Sequence, residues 1–313
     1  MLKSDAILSE WVSSVDLTST RIKNFPSYIF LCGGRLTSSR ENSYSSCRDV
    51  FYSYVNRRGD CISRNIILAE IIIQLFDDSG YPDLLTFEKD LAAISLMIII
   101  FSESPGAIAE LGSFSALENI KDRLILVFHE EDVSDKNSFI WKGPVRHLKT
   151  MAIDRGNDNP IYVYNWAKEN LDDNSFPDVS NLYDSIETII AKRKTTRIWD
   201  RDDVGHIMLL LAASLNIMQI ATIEELKRVL QLFDLEVYAK YIGRYLNMLK
   251  ALNIIGYKQY GNSDYYVAGV DEWLKWSYRI SASDFLWNKK FSEFYMINQE
   301  NKVKAWRSFH TKD

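Results

Sequence analysis

Residues 96–115 read LMIIIFSESPGAIAELGSFS. The apolar run Leu96–Phe101 is far short of the ~20 residues of a membrane span, and it suits a strand buried on both faces. It stops at Ser102. Ser104 is a good helix N-cap and Pro105 a good first helical residue, so a helix is predicted over Ala107–Ile120. Working outward, the same elements recur. Tyr28–Cys32 (YIFLC) is a short β-rich run closed by Gly33-Gly34, and Arg123–Phe128 (RLILVF) is another buried strand. Thr86–Ala93 and Asp184–Arg193 read as helices, while Asn65–Ala69 leads into apolar residues that fit strand, helix, or one after the other. Short apolar strands separated by helices predict an α/β fold with a parallel sheet, Rossmann-like in kind. Ligands bind such sheets at the carboxyl ends of the strands, which directs attention to Gly33-Gly34 and to Ser102–Gly106.

The C-terminal part follows another pattern. Val204–Met218 is an apolar helix, and Thr222 with Glu225 forms a capping box that opens a second. Val237–Leu252 reads as a third, with Ile242, Tyr245, Leu246 and Leu249 on its inner face. Two β-rich arms around Gly261-Asn262 then make a hairpin. Three helices and a hairpin predict a winged helix. The expected organisation is therefore a sheet domain over 1–200 with its core at 28–150, a winged helix over 201–270, and a basic, aromatic-rich tail over 271–313.

Composition narrows the class. The chain has 313 residues, 47% of them hydrophobic and 25% charged, the mix of a folded globular protein. The net charge of −5 is uneven: residues 204–313 carry +3 and residues 1–203 carry −8. Cys32, Cys47 and Cys61 are few, odd in number and without metal-ligand spacing, so free thiols, a cytoplasmic location and no bound metal are expected. The opening MLKSDAILSEWVSSVDL lacks the basic and apolar regions of a signal peptide. His129, His147, His206 and His310 are scattered and read as structural or surface groups.

Glu110 is the residue on which two readings diverge. At i, i+4 and i+7 it shares a helix face with Phe114 and Leu117, so its carboxylate lies along apolar surface and loses hydration. On spacing alone the favoured reading is an ordinary helix glutamate whose head reaches water. Lys240, Arg244 and Lys250 give the third C-terminal helix a modest basic face. In the tail, Trp276, Trp287, Phe291, Phe294, Tyr295 and Trp306 interleave with Lys289, Lys290, Lys302, Lys304 and Arg307. That pattern suits single-stranded nucleic acid or helix packing against a partner.

IIIFSESPGAIAELGSFS resembles the active-site strand–loop–helix of nucleoside deoxyribosyltransferases. Residues 28–148 are more closely similar to the deoxyribosyltransferase-like toxin effectors of retron anti-phage systems. The matching pieces are FLCGG at 30–34, LAE at 68–70, FDD at 76–78, LLTFE at 84–88, ESPGAIAELGSFS at 103–115, LEN at 117–119 and SFIWKGPVRHL at 138–148. The resemblance implies Glu110 as the catalytic nucleophile. It implies Gly33, Gly34, Glu70, Glu88, Glu103, Ser104 and Gly106 around the substrate, with Ser104 and Gly106 against ribose or phosphate. Deoxyribosyltransferases carry an aspartate six residues before the nucleophile, where this chain has Ser104 with Glu103 beside it. A leaving group that needs no proton, such as the nicotinamide of NAD, then becomes attractive.

What the resemblance implies is an N-glycosidase toxin that cleaves NAD as substrate, needs no cofactor, and causes abortive infection. Its partners would be a reverse transcriptase and multicopy single-stranded DNA that hold it inactive, with Lys240, Arg244, Lys289 and Lys290 as nucleic-acid or partner contacts, no membrane contact and room for a higher-order assembly. The alternatives are a deoxynucleotide N-glycosidase or deoxyribosyltransferase, and a non-enzymatic winged-helix DNA-binding regulator.

Overall fold

The computed structural model describes residues 2–37, 43–68, 70 and 80–310. The expected pieces Ala69 and FDD at 76–78 lie outside the described residues. The chain divides into two compact units. One holds Pro26–Ile73 and Leu91–Lys194; the other holds Met1–Phe25, Gln74–Asp90 and Thr195–Asp313.

The first unit is built on a parallel sheet. Its strands, numbered along the chain, are β1 (Ile29–Cys32), β2 (Ile66–Ile67), β3 (Met97–Phe101), β4 (Leu124–His129) and β5 (Ile161–Tyr164). They lie side by side in the order β2-β1-β3-β4-β5, all parallel. Cys32 pairs with Ile100 and Phe101 with Val127, so β1, β3 and β4 end nearly level. Every residue of these three strands is buried, which is why they read as unbroken apolar runs. The helices are α1 (Cys47–Arg58), α2 (Cys61–Asn65), α3 (Pro105–Ser115), α4 (Arg146–Arg155) and α5 (Val179–Lys192). Val50, Phe51 and Val55 of α1 and Leu182, Tyr183 and Ile186 of α5 join Leu31, Ile99 and Ile125 of the sheet in one core. Each such buried side chain contributes about 1.5–3 kcal/mol. The order reverses between β1 and β3, the switch point at which open α/β sheets of this order bind ligands.

The helix expected over Ala107–Ile120 is shorter at its end. α3 stops at Ser115, and Leu117–Ile120 closes a turn through Ile120 N–H donating to Leu117 O. Leu117 therefore lies beyond the helix face that carries Glu110 and Phe114.

In the second unit, Val204–Met218 is buried almost all round, as a helix apolar on every side requires. It leads to a short strand Ile220–Ala221 and the helix Ile223–Leu232, where the Thr222–Glu225 capping box forms as predicted. The single helix expected over Val237–Leu252 is two: Glu236–Ala239 and Ile242–Ala251. Tyr241 donates to Tyr238 O and Arg244 to Tyr241 O, three-residue steps that tighten the chain across the junction. The hairpin Gly256–Tyr260 and Ser263–Val267 turns at Gly261, whose φ of 60° suits glycine, and its second strand also pairs with Ile220–Ala221. Helix Asp5–Ser14 belongs here too. Its Trp11 is fully buried among Phe233, Trp276 and Phe291. The tail is folded, as helices Asp284–Asn298 and Glu300–His310. Among the described residues no helix is long and apolar enough to cross a membrane.

Candidate active site

The loop between β3 and α3 is held from both sides. Ser104, in extended conformation, accepts from Ala107 N–H at 3.1 Å and caps α3; its hydroxyl donates to Gly33 O at 3.2 Å. Glu103 faces the start of α1. Its carboxylate accepts three backbone N–H groups: Gly34 at 3.0 Å, Cys47 at 2.8 Å and Arg48 at 3.0 Å. A carboxylate at a helix N-terminus takes the place an anion would occupy there, so Glu103 ties the two loops at the switch point to each other. Gly34 is buried under this clamp, and a Cβ on it would stand 2.6 Å from Ser46 Cβ. Gly106, by contrast, is exposed, with the nearest atom to an added Cβ at 3.9 Å.

Glu110 lies six residues into α3, half-buried. Its Oε2 is shut off from solvent and has no hydrogen-bond partner. Burial pushes the carboxyl above its ordinary value, a hydrogen bond with the Cys32 thiol and the nearby Arg48 charge pull it down, and Glu70 pushes it up again. Glu70 is half-exposed and pairs with the buried Arg48 through both oxygens. Cys47, at the same edge, is an inert thiol, because burial and then the Glu103 charge raise it far above the usual range.

A cavity of about 710 Å³ opens at the carboxyl edge of β3 and β4. Ser102, Glu103, Ser104, His129, Trp166 and Lys168 are on its wall. Glu110 is not among its lining residues, whereas Ile108, two positions earlier and so on the other flank of α3, is. A desolvated carboxyl raised above its ordinary value, with one oxygen left without a partner, is a candidate reactive group, so we centre the candidate site on Glu110. His129 is held at both ring nitrogens: Nδ1 accepts from Glu131 N–H, and Nε2, left with the proton, donates to Trp166 O.

The structure thus gathers Gly33, Gly34, Glu70, Glu103, Ser104 and Glu110 at one edge of one unit. Glu88 lies buried on helix Leu84–Ile94, in the stretch that counts with the other unit. Arg48 was missed in the sequence. A signal existed: it sits in the first turn of α1, where a cation opposes the helix dipole.

Of the four basic residues expected to make contacts, Arg244, Lys289 and Lys290 are each ion-paired. Arg244 turns inward to Asp90 at 3.1 Å, with the rings of Tyr241, Tyr245 and Tyr81 around it at 4.3, 5.1 and 5.6 Å. Burial pushes Asp90 up to about 6 against the pull of Arg244. Lys290 pairs with Glu10 at 2.8 Å, Lys289 reaches Glu293 at 3.8 Å, and Lys240 is exposed beside Tyr241. Trp287, Phe291 and Tyr295 are core, so these tail aromatics pack rather than stack on bases. Among the described residues no group of three or more His, Cys, Asp or Glu could hold a metal ion.

The chain is 36% identical over 191 residues to an Escherichia coli retron Ec86 protein named as a ribosyltransferase/DNA-binding protein; the match covers 58% of this chain and 55% of that one, about half the relative's length. An Escherichia coli retron Ec73 protein of the same designation is 21% identical over 307 residues, covering 91% of this chain and 90% of that one. The model of the STM3845 retron effector protein family matches residues 44–257, more than half of the chain, from the start of α1 through α3 and into the C-terminal hairpin. The chain belongs to the STM3845 retron effector family.

Proposed function

We propose that this retron effector is an N-glycosidase that uses Glu110 as nucleophile and NAD as substrate. One observation carries the reading: a desolvated carboxylate with an unpartnered oxygen at the β1/β3 switch point. Glu110 attacks the anomeric carbon, a C–O bond forms, and the C–N bond breaks with its electron pair going to the nicotinamide ring. The transition state is oxocarbenium-like, which the adjacent negative charge stabilises. Water then releases the ribosyl group and restores the carboxylate. No acid is required, because nicotinamide is a cation in NAD and departs neutral. That suits Ser104, whose proton is committed to Gly33 O. The neighbouring cavity falls within the ~300–1,000 Å³ of small-molecule sites.

The relatives' names, which pair ribosyl transfer with DNA binding, fit a two-part toxin of this kind. In this reading the helix–strand–helix–helix–hairpin region is a winged helix, and a reverse transcriptase with its multicopy single-stranded DNA holds the toxin inactive in the cytoplasm until phage attack. The inward turn of Arg244 favours a protein-docking role for that region over reading of duplex DNA. Incubation of the purified chain with NAD and a panel of deoxynucleotides, followed by chromatography of released base, tests the activity. Nicotinamide release is expected. Release of a nucleobase from deoxynucleotides alone would move the assignment to the deoxynucleotide enzyme, and no release from any of them would overturn it.

A further inference from the structure

The cavity at the carboxyl edge of β3 and β4 has a wall drawn entirely from the sheet unit, and that wall lacks Glu110. A pocket without the nucleophile holds a group at which no bond is broken. Its apolar side is aromatic and fixed in place. Phe128 packs on Trp141 at 5.6 Å between ring centroids. Trp166 meets His129 edge-on at 4.8 Å and Phe176 at 5.8 Å, and its carbonyl accepts from His129 Nε2 at 3.0 Å. Ile108 adds an aliphatic side chain left 41% exposed. Most polar groups of the wall are already used. Glu103 accepts from three backbone N–H groups, Ser104 both donates and accepts, and Lys168 is paired with Glu131 at 2.9 Å and Asp132 at 3.4 Å. Ser102 and Arg35 differ. Ser102 is 7% exposed and is held by its N–H donating to Val127 O at 2.9 Å, yet its hydroxyl makes no hydrogen bond among the described residues. Arg35 is exposed and has no ion pair among the described residues.

A buried hydroxyl without a partner is unfavourable unless a ligand supplies one. It can donate or accept, which suits the edge of a planar base lying on aromatic rings. An uncommitted guanidinium suits a phosphate, which it grips with parallel N–H donors. We propose that this cavity binds a nucleotide, with the base against Phe128, Trp166 and Ile108, its edge on the Ser102 hydroxyl, and its phosphate on Arg35. Two sources share that chemistry: the adenylate half of NAD, which is the half left intact, and a free nucleotide acting as an effector. α3 separates the cavity from Glu110, and a helix is about 10–12 Å across, a gap that a dinucleotide is long enough to bridge. Binding in the cavity stands apart from the role of Glu110; only the first source rests on that reading.

Equilibrium dialysis of the full chain against labelled AMP, adenosine and inorganic phosphate tests this directly. One AMP should bind per chain, with adenosine and phosphate each weaker by about tenfold or more. Arg35→Met should weaken AMP about tenfold and leave adenosine unaffected, because only the phosphate contact is lost. Ile108→Trp places a large ring in the cavity and should weaken both. Arg35 is an exposed side chain, so its variant carries the test should Ile108→Trp fail to fold. Absence of saturable AMP binding overturns the proposal, as does AMP binding that a folded variant leaves unchanged. Kinetics with NAD then separate the sources. AMP that raises KM without changing kcat assigns the cavity to the adenylate half of the substrate, whereas AMP that changes kcat assigns it to a free nucleotide. One AMP bound per chain with no base released from any nucleotide would leave the cavity assignment standing and overturn the glycosidase reading alone.

Discussion

The two units each bury charged side chains, and they treat them differently. In the second unit Lys302 and Glu225 are 1% and 4% exposed at their side chains, 2.5 Å apart. Glu225 also accepts from Ser4 Oγ at 2.7 Å and from Thr222 N–H at 2.9 Å, so both its oxygens are used. Burial works against its charge, but Lys302 and these donors outweigh it and hold the carboxyl below its ordinary value of 4.5. Burial also opposes the charge on Lys302, and the donors converging on Glu225 keep the pair charged. In the sheet unit the charges are left incomplete. Arg48 keeps a spare donor and Glu110 a spare acceptor. A closed buried network holds a fold together, while an open one has hydrogen bonds still to offer a ligand.

The sharpest way to break this contrast is at Glu110. Glu110→Gln keeps the shape and removes the nucleophile, so base release should fall by several powers of ten, about 4–8 kcal/mol in the barrier. The melting temperature should hold or rise, because a desolvated charge is gone. Wild-type release by a folded Glu110→Gln protein would sink the distinction.

Lys302→Met should do the reverse. Leaving Glu225 buried without its counter-charge costs about 3–5 kcal/mol of stability, read by urea unfolding, and a Glu225→Leu change added to it should recover much of the loss. The pH dependence has a definite sign. Glu225 is depressed in the folded state, so its contribution is complete above about pH 4.5 and is lost as pH falls through the lower folded value. The double variant should show a flatter acid limb of stability than wild type. Equal slopes would mean the pair is not what holds that end of the unit.

Glu103→Gln lies between the two. The amide would turn an NH2 toward one of three N–H donors, for a loss of about 1–3 kcal/mol. Activity should drop in part, because Glu103 holds the loops rather than the reacting atoms. Loss as deep as that of Glu110→Gln would place Glu103 in the chemistry after all.

Much of the fold is legible in sequence because its signals are local. Ser104-Pro105 caps α3, Thr222 and Glu225 cap each other, and the apolar runs become strands where they stand. The Arg48–Glu70–Glu110 arrangement depends on residues far apart in the chain, and nothing in SSCRDV alone says which carboxylates Arg48 will meet. The tail misleads for another reason. Trp287, Phe291 and Tyr295 recur every four residues, which is one face of a helix, yet the lysines between them suggest a nucleic-acid platform. Spacing decides there, and composition does not. The two-helix break near Tyr241 is set by three-residue hydrogen bonds that no residue type in that stretch enforces.

The place of the N-terminal helix bears on how the chain is made. Ser4 and its partner Glu225 are separated by 221 positions, and Lys23 meets Glu272 later still. At about 5–20 residues per second of synthesis, the apolar face of Asp5–Ser14 waits roughly 10–45 s for its partners. During that interval Trp11 lacks Phe233, Trp276 and Phe291, the rings it packs against. The buried Lys302–Glu225 pair forms only once helix Glu300–His310 has been made. A ribosome that stalls before that point therefore leaves Glu225 without its buried counter-charge.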